Sequence, residues 1–457
     1  MLLPLFAVAS FAANYNVRDF GATADGTTKD TRAFQKALDT CAVNGGGEVL
    51  VPAGKYLIGS IQLGDRTILR LEKDTILTGS PDLADYPMCD VRWEGRWQPG
   101  RRGLIYASAA DNTGIVGPGR IEGSPWPTGT NSPDGIRNPV VVEPVSCNGV
   151  RWEDFTVVQG GHWATHPTYC TDVVIKNLNI TGRRDGIDVD SCKNVLIDSC
   201  TIENGDDCIS LKSGRGMDGA RLSRPCEDIV ITNCTLTGIR FACVGIGSEI
   251  SGGVRNVRIE HCKMKSATHT IYIKTRIGRA GVNDNITGND LDILGGDFLR
   301  INLVRGGNSS TADDPVEGLI GYPTGRNFNF SNVRLNGAKA VLVGTEISAL
   351  RPMENLTLTN ITGTCTAGLT MANMTGVILK DINVTGYKGD LLGIVNVTGK
   401  GLEGAVTIPA PVDPPPGNAQ GFGPGRGRGP RPPGSKGSAD GKAPTTEQTP
   451  AAPVPKM

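Results

Sequence analysis

The chain has 457 residues, and its 46 lysines and arginines equal its 46 aspartates and glutamates, so the formal net charge is zero. Zero net charge argues against a nucleic acid or an anionic membrane as partner, because both need a basic face, and no stretch has the roughly 18 consecutive apolar residues of a membrane span. Only 5% of the residues are aromatic while 62 are glycine, which indicates strands with small and β-branched side chains rather than helices.

The first element in the chain is an apolar segment at residues 1–13. Ser10 and Ala12 fit the small-x-small pattern of a signal cleavage site, although no positive residues precede the apolar run. We therefore expect a signal peptide with a trimmed start, and a secreted or periplasmic protein. A buried first strand is the alternative.

One helix is predicted, over Thr28–Cys41. Three glycines at 45–47 follow it as a stop signal, and its apolar residues recur at helical spacing: Ala33, Phe34, Ala37 and Leu38. A solenoid exposes its core at an open end. We expect this helix to cap the N-terminal end of the domain.

A short motif recurs along residues 14–402, as in NGVRWEDFTV, TDVVIKNLNI and KNVLIDSCTI. The first apolar residues of these runs, Val150, Val173 and Val195, lie about 22 residues apart, and later intervals are longer by variable amounts. Short alternating runs are typical of strands. Residues 14–402 are therefore predicted to form an all-β parallel β-helix of roughly ten coils with inserted loops.

The twelve cysteines follow the same repeat. Cys147, Cys170 and Cys192 each lie three residues before a repeat start, whereas Cys200 and Cys234 lie five residues after one. Equivalent positions of successive coils stack about 4.8 Å apart. We expect these thiols to fill the interior as small apolar side chains; disulfides along the columns are the alternative.

Carboxylates are predicted to cluster on one face. Counting twelve residues beyond five successive repeat starts gives one column: His162, Asp185, Asp207, Phe241 and His269. Asp206 stands beside it in GDDC, and one of three neighbouring carboxyls should keep its proton near neutral pH. Glycosidic hydrolysis needs such a protonated acid beside an ionised carboxylate, but a Ca²⁺ site or a solvated aspartate ladder remains open.

The C-terminal tail, residues 403–457, contains the run GFGPGRGRGPRPPGSKGSADGK. Little in it can be buried, so we expect it to be disordered. Its arginines leave polyanion binding as an alternative.

Six motifs carry a family resemblance: YNVRDFGATADGTTKDTRAFQKALDTC, VPAGKYLIG, RRDGIDVDSC, GDDCISLKSG, GIGSEISGGVRNV and IYIKTRIGRAG. In order and spacing they resemble glycoside hydrolase family 28, the polygalacturonases and related pectin hydrolases. The resemblance implies a right-handed parallel β-helix and an inverting hydrolase of pectic poly- or oligosaccharide that needs no metal or cofactor. It also implies that Asp206 is the general acid and that Asp185 and Asp207 activate water. We expect a monomer.

The resemblance also implies residues that bind substrate. Lys274 matches the lysine of the Arg-Ile-Lys motif, which pairs with the uronate carboxylate, and Tyr272 and Arg276 flank it. Trp163 and His166 resemble the Trp-x-x-His segment of bacterial members and are expected in the cleft wall, although Trp163 suits the core equally well.

The sequence departs from the family pattern at three sites. Arg183-Arg184 replaces Asn-Thr, Phe241 or Ala242 replaces a histidine, and Tyr272 replaces an arginine. Tyrosine cannot reproduce bidentate recognition of a carboxylate. We therefore expect weak action on plain homogalacturonan and better substrates among branched or rhamnose-containing pectic chains, unless Arg276 or Arg279 restores the clamp.

Two other functions remain open at this point. A Ca²⁺-dependent β-helix lyase of the pectate-lyase type would form unsaturated products that absorb in the ultraviolet. A carbohydrate-binding β-helix that has lost catalysis would release no reducing sugar.

Overall fold

The computed structural model describes residues 13–124, 134–159, 162–307 and 314–414, all of them within one unit, Met1–Ala419. The expected signal segment apart from Ala13, and residues 415–457 of the expected tail, lie outside the described residues. The division into 1–13, 14–402 and 403–457 therefore stays a prediction. Strand pairing continues to Thr407.

The described residues form mostly strands, with two α-helices, α1 (Thr31–Val43) and α2 (Gly216–Leu222), and 3-10 turns at Val17–Phe20, Leu83–Asp85 and Leu319–Gly321. In chain order the strands are β1 Asn14–Asn16, β2 Asp25–Lys29, β3 Gly47–Val51, β4 Gly54–Ile58, β5 Ile61–Leu63, β6 Thr67–Leu71, β7 Thr75–Gly79, β8 Met88–Trp93, β9 Arg96–Arg101, β10 Ile105–Ser108, β11 Gly114–Val116, β12 Arg120–Glu122, β13 Val142–Val145, β14 Asn148–Glu153, β15 Thr156–Val158, β16 Thr171–Lys176, β17 Asn179–Gly182, β18 Ile187–Asp190, β19 Lys193–Asp198, β20 Thr201–Asn204, β21 Ile209–Lys212, β22 Cys226–Thr232, β23 Thr235–Gly238, β24 Val244–Gly247, β25 Val254–Ser266, β26 His269–Lys274, β27 Val282–Leu294, β28 Asp297–Asn302, β29 Thr324–Glu346, β30 Met353–Thr385, β31 Leu392–Lys400 and β32 Val406–Thr407.

The repeat read from the sequence is the coil of the fold. Each strand pairs in parallel with its equivalent on the next coil, and the repeat starts are register partners: Val150 with Val173, Val173 with Val195, Val195 with Ile229, and Ile229 with Val257. The antiparallel hairpin of β8 and β9 is an insertion into this stack. The predicted right-handed parallel β-helix is confirmed.

Asparagine recurs in the repeat because the coil turns through it. Asn256 and Asn285 both have left-handed backbone conformations, with φ of 56° and 55°, which asparagine adopts at lower cost than most residues. The Asn285 side-chain amide donates a hydrogen bond to the Asn256 side-chain oxygen, at 3.0 Å. These stacked amides satisfy polar groups from one coil to the next.

Helix α1 begins three residues later than predicted, at Thr31 instead of Thr28. Thr28 belongs to β2, and the Asp30 carboxylate accepts hydrogen bonds from backbone N–H groups of the preceding turn instead of capping the helix. The buried Phe34 packs edge-on against Tyr56 of β4, with 5.3 Å between ring centres. The helix covers the first coils, as expected of a cap.

All twelve cysteines are free thiols, and every one except Cys89 is buried. Within one column the Cys170 backbone N–H donates to the Cys192 sulfur on the next coil, at 3.3 Å. The interpretation of the cysteines as small interior side chains is confirmed, and the disulfide alternative is not.

This arrangement predicts insensitivity to reductant. The melting temperature should be the same with and without dithiothreitol, and under native conditions a thiol reagent should react quickly only at Cys89, since the other thiols are buried. In denaturant without reductant, alkylation and mass spectrometry should count twelve modified cysteines. A lower count would demonstrate disulfides.

Candidate active site

The two aspartates of the predicted column lie on successive coils, directly before strands β18 and β21. Ile187 of β18 is the register partner of Ile209 of β21, and the Gly186 backbone N–H donates to the Asp207 carbonyl at 3.0 Å. Asp185 and Asp207 are therefore stacked, as the repeat count predicted. Both are buried at the floor of a cleft that Asp206 also lines.

The predicted column is off by one residue at two positions. The register places Trp163, not His162, level with the first aspartate of the stacked pair, and Ala242, not Phe241, level with the second. The turns of these coils differ in length from the 22-residue coil between the two aspartates, so a fixed count misses. Ala242 uses its backbone N–H to bind the Asp207 carboxylate, at 3.1 Å, so no imidazole occupies this level of the stack.

The stacked carboxylates share a hydroxyl and have separate ammonium partners. The Ser210 Oγ atom lies 3.2 Å from Asp185 Oδ2 and 3.1 Å from Asp207 Oδ2. Lys212 Nζ is 3.2 Å from Asp185 Oδ2, and Lys274 Nζ is 2.6 Å from Asp207 Oδ2. Each stacked aspartate therefore has its own ammonium partner.

Asp206 has a different environment. It forms no ion pair within the described part of the chain, and its Oδ1 accepts a hydrogen bond from the Asp207 backbone N–H at 3.1 Å. Burial raises the pKa of Asp206 to about 7, and the charges of Asp185 and Asp207 contribute to the increase. Among the three aspartates, Asp206 is thus the one that holds a proton near neutral pH.

The structure divides the predicted substrate-binding residues into two groups. Trp163 and Lys274 line the cleft, whereas Tyr272, His166 and Arg276 are not among its described lining residues. Tyr272 neighbours Lys274, whose Nζ lies 5.5 Å from the ring centre. Arg276 donates to backbone carbonyls at 306 and 307, of which 307 lines the cleft.

His166 lies behind the cleft wall. Its ring is fully buried and packs edge-on against Trp163, with 4.8 Å between centres. Its two nitrogens face the carboxylates of Glu143 and Asp190, at 3.9 and 4.0 Å. The indole of Trp163 therefore separates His166 from a sugar bound in the cleft.

The sequence analysis missed several residues that line the cleft or contact its aspartates. Ser210 and Lys212 stand within the quoted motif GDDCISLKSG, and the register Asp188–Ser210 and Asp190–Lys212 follows from the same repeat, so the signal was present. Glu249 also lines the cleft, beyond β24. Counting repeats from Asp207 into β21 would have located Ser210 and Lys212.

The β8–β9 hairpin also contributes to the cleft, through Trp93, Glu94 and Gln98. Arg92, next to Trp93, forms a fully buried ion pair with Asp190 of β18, with 3.0 Å between Nε and Oδ2. The repeat contains no signal for this contact, which joins residues 98 positions apart.

The model of the family described as "Glycosyl hydrolases family 28" matches residues 41–295, more than half of the chain. The chain belongs to glycosyl hydrolases family 28. The matched range includes Asp185, Asp206, Asp207, Lys212 and Lys274, so the three aspartates and the two lysines of the cleft lie within it.

Curated relatives and solved structures agree with this family. A "Probable polygalacturonase" of Vitis vinifera is 32% identical over 292 residues, which are 60% of each chain. An "Exo-poly-alpha-D-galacturonosidase" of Dickeya chrysanthemi is 24% identical over 300 residues, covering 54% of this chain and 49% of the relative. The chain thus spans about half to three fifths of the length of these family 28 relatives.

Among solved structures, an exopolygalacturonase from Thermotoga maritima is 25% identical with a TM-score of 0.68, covering 81% of this chain and 92% of that one. A family 28 exopolygalacturonase from Yersinia enterocolitica is 19% identical with a TM-score of 0.73, covering 84% and 77%; at this identity it supports the fold alone. Across the described residues, no helix is both long and apolar enough to span a membrane.

Proposed function

We propose that this protein is an inverting glycoside hydrolase that cleaves glycosidic bonds in pectic polysaccharide. The observation that carries the proposal is the division among three adjacent carboxyl groups. Asp185 and Asp207 each have a lysine partner, at 3.2 and 2.6 Å, while Asp206 has none among the described residues and has a pKa of about 7. Hydrolysis with inversion requires a protonated carboxyl group as general acid and a carboxylate as general base.

The proposed mechanism gives each aspartate one role. Asp206 donates its proton to the glycosidic oxygen as the bond to the leaving sugar breaks. Asp185 and Asp207 together take a proton from the water that attacks the anomeric carbon from the opposite face. No cofactor or metal is part of this proposal.

We propose that substrate selection differs from simple recognition of galacturonate. Lys274 lines the cleft, where its ammonium pairs with Asp207 and is the group proposed to meet a uronate carboxylate of the substrate. Tyr272 stands where an arginine would complete the clamp on that carboxylate. Arg279 is fully buried and donates to the Ser248 carbonyl at 3.0 Å, and Arg276 donates to loop carbonyls. Branched or rhamnose-containing pectic chains are therefore the proposed substrates.

A panel of homogalacturonan, rhamnogalacturonan and xylogalacturonan oligomers tests the function. We expect release of reducing ends without products that absorb in the ultraviolet, and a higher kcat/KM on branched or rhamnose-containing chains. Unsaturated products would establish a lyase instead, and binding without cleavage would establish a carbohydrate-binding protein. A higher kcat/KM on unsubstituted polygalacturonate would refute the substrate proposal while leaving hydrolysis intact, and loss of that preference in Arg276→Ala would identify a restored clamp.

The pH dependence follows from the raised pKa of Asp206. The acid must be protonated to act, so kcat/KM should fall as pH rises through about 7, while the acidic limb should report protonation of the general base. Initial rates between pH 3 and 9 at constant ionic strength measure both limbs. Full activity retained at pH 9 would contradict the role of Asp206.

We also propose that the protein is exported and acts as a monomer. The apolar residues 1–13 support export. Cell fractionation and light scattering test the two statements separately.

A further inference from the structure

Lys212 lies at the centre of a buried charge cluster beneath the cleft. Its Nζ is 2.5 Å from Asp188 Oδ1 and 3.2 Å from Asp185 Oδ2, and it sits 4.0 Å from the ring centre of Trp163. Asp188 is entirely inaccessible and Lys212 is 5% exposed. The ammonium is thus enclosed by two carboxylates and an aromatic face.

Burial and the neighbouring Asp185 charge raise the pKa of Asp188, and Lys212 is the cation that opposes this increase. Neither carboxylate oxygen of Asp188 has a hydrogen-bond partner within the described residues apart from the ion pair with Lys212. A buried carboxylate is costly unless it is paired. The ammonium is therefore drawn to one position by Asp188, and from there it reaches Asp185.

Other charged groups face this cluster from the neighbouring elements. They are Glu249 after β24, Lys274 on β26, Asp206 and Asp207 before β21, and Arg184 before β18. Burial alone would lower the pKa of Lys212, but the Asp188, Asp185 and Glu249 carboxylates outweigh burial and hold it well above its ordinary value. Lys212 is therefore a permanent cation across the working pH range.

We propose that Lys212 and Asp188 are positioning residues that keep Asp185 ionised and aimed at the attacking water. This inference rests on the proposed hydrolytic function, in which Asp185 is part of the base. Asp188 fixes Lys212, Lys212 fixes Asp185, and Trp163 closes the remaining side of the ammonium. Lys274 does the same for Asp207 on the next coil, so the two lysines leave Asp206 as the carboxyl group that keeps a proton.

The first test compares Lys212→Met, Lys212→Arg and Asp188→Asn, with Lys193→Met as control because Lys193 is exposed on the outer surface. Without the cation, Asp185 should stay protonated to higher pH, so Lys212→Met should move the acidic limb of the kcat/KM profile upward by about one pH unit or more. Lys212→Arg should restore the limb to within a few tenths of a unit. Asp188→Asn should lower kcat about tenfold or more at unchanged KM, without an upward shift, because the cation remains but is held less firmly.

Two further measurements test the positioning role of Lys212 and Asp188. The double variant Lys212→Met/Asp188→Asn removes a cation and an anion together, so its thermal melt and its pH profile are informative even if Lys212→Met alone fails to fold.

NMR titration of ¹³Cγ-labelled aspartate, with Asp185→Asn used for assignment, should show Asp185 titrating at higher pH in a folded variant that lacks the Lys212 ammonium, either Lys212→Met or the double variant. An unchanged Asp185 titration would overturn the positioning role. Wild-type protein that cleaves no pectic substrate would instead overturn the proposed function, and the NMR titration would still decide the role of Lys212.

Discussion

Replacing Asp206 by asparagine should lower kcat by about 10²–10⁴-fold or more, because the proton donor to the leaving sugar is lost. Asparagine has nearly the same shape, and Asp206 forms no ion pair among the described residues, so the fold should not depend on its charge. Steady-state rates on the preferred pectic oligomer measure the effect, and the melting temperature reports folding.

The matched control is Asp390→Asn, at an exposed aspartate outside the cleft, which should retain wild-type kcat. Proton NMR of wild-type products should show that the first-formed anomer has the inverted configuration, since the acid and the water-activating carboxylates act from opposite faces of the bond. Near-normal activity in Asp206→Asn, or a retained anomer, would refute the assignment of acid and base.

The second large effect is expected from adding one methyl group at Gly245. This glycine of β24 packs against the Asp207 carboxylate so closely that a Cβ atom there would lie 2.7 Å from Asp207 Cγ and nearer still to Oδ2. Gly245→Ala must therefore push the carboxylate away from Lys274 and Ser210. A displacement of about 1 Å in a catalytic group can cost about 10²-fold in rate, and we expect a fall in kcat of at least that size.

Gly344→Ala is the control for Gly245→Ala. Gly344 lies in β29, and the nearest atom to its added Cβ would be the flexible end of Met374 at 2.7 Å, with the other neighbours at 3.6 Å or more. This variant should keep its activity. Circular dichroism and thermal melts of both variants check that the strands persist, and a crystal structure of Gly245→Ala locates Asp207. Wild-type kcat in a folded Gly245→Ala protein would show that the position of Asp207 does not limit catalysis.

The sequence by itself determined the coil and the part of the site that repeats with it. Side chains alternate along a strand and equivalent residues stack between coils, so counting from Val150, Val173 and Val195 correctly placed Asp185 over Asp207 and identified the cysteines as interior side chains. These features depend on local backbone conformation and on a nearly constant coil length, which are both written into the periodic pattern.

Only the tertiary structure decided which charges meet. The count failed by one residue at His162 and Phe241 because the length of the turns varies. The repeat length read from the sequence does not show a change in a single turn, which becomes visible only when the strand pairing is known. The burial of His166, the ion pair of Arg92 with Asp190, and the pairing of each stacked aspartate with its own lysine depend on side-chain packing between coils and an inserted hairpin. A charge in a buried site takes its protonation state from the groups that surround it, so the distinction between Asp206 and its two neighbours emerged only once the coils were assembled.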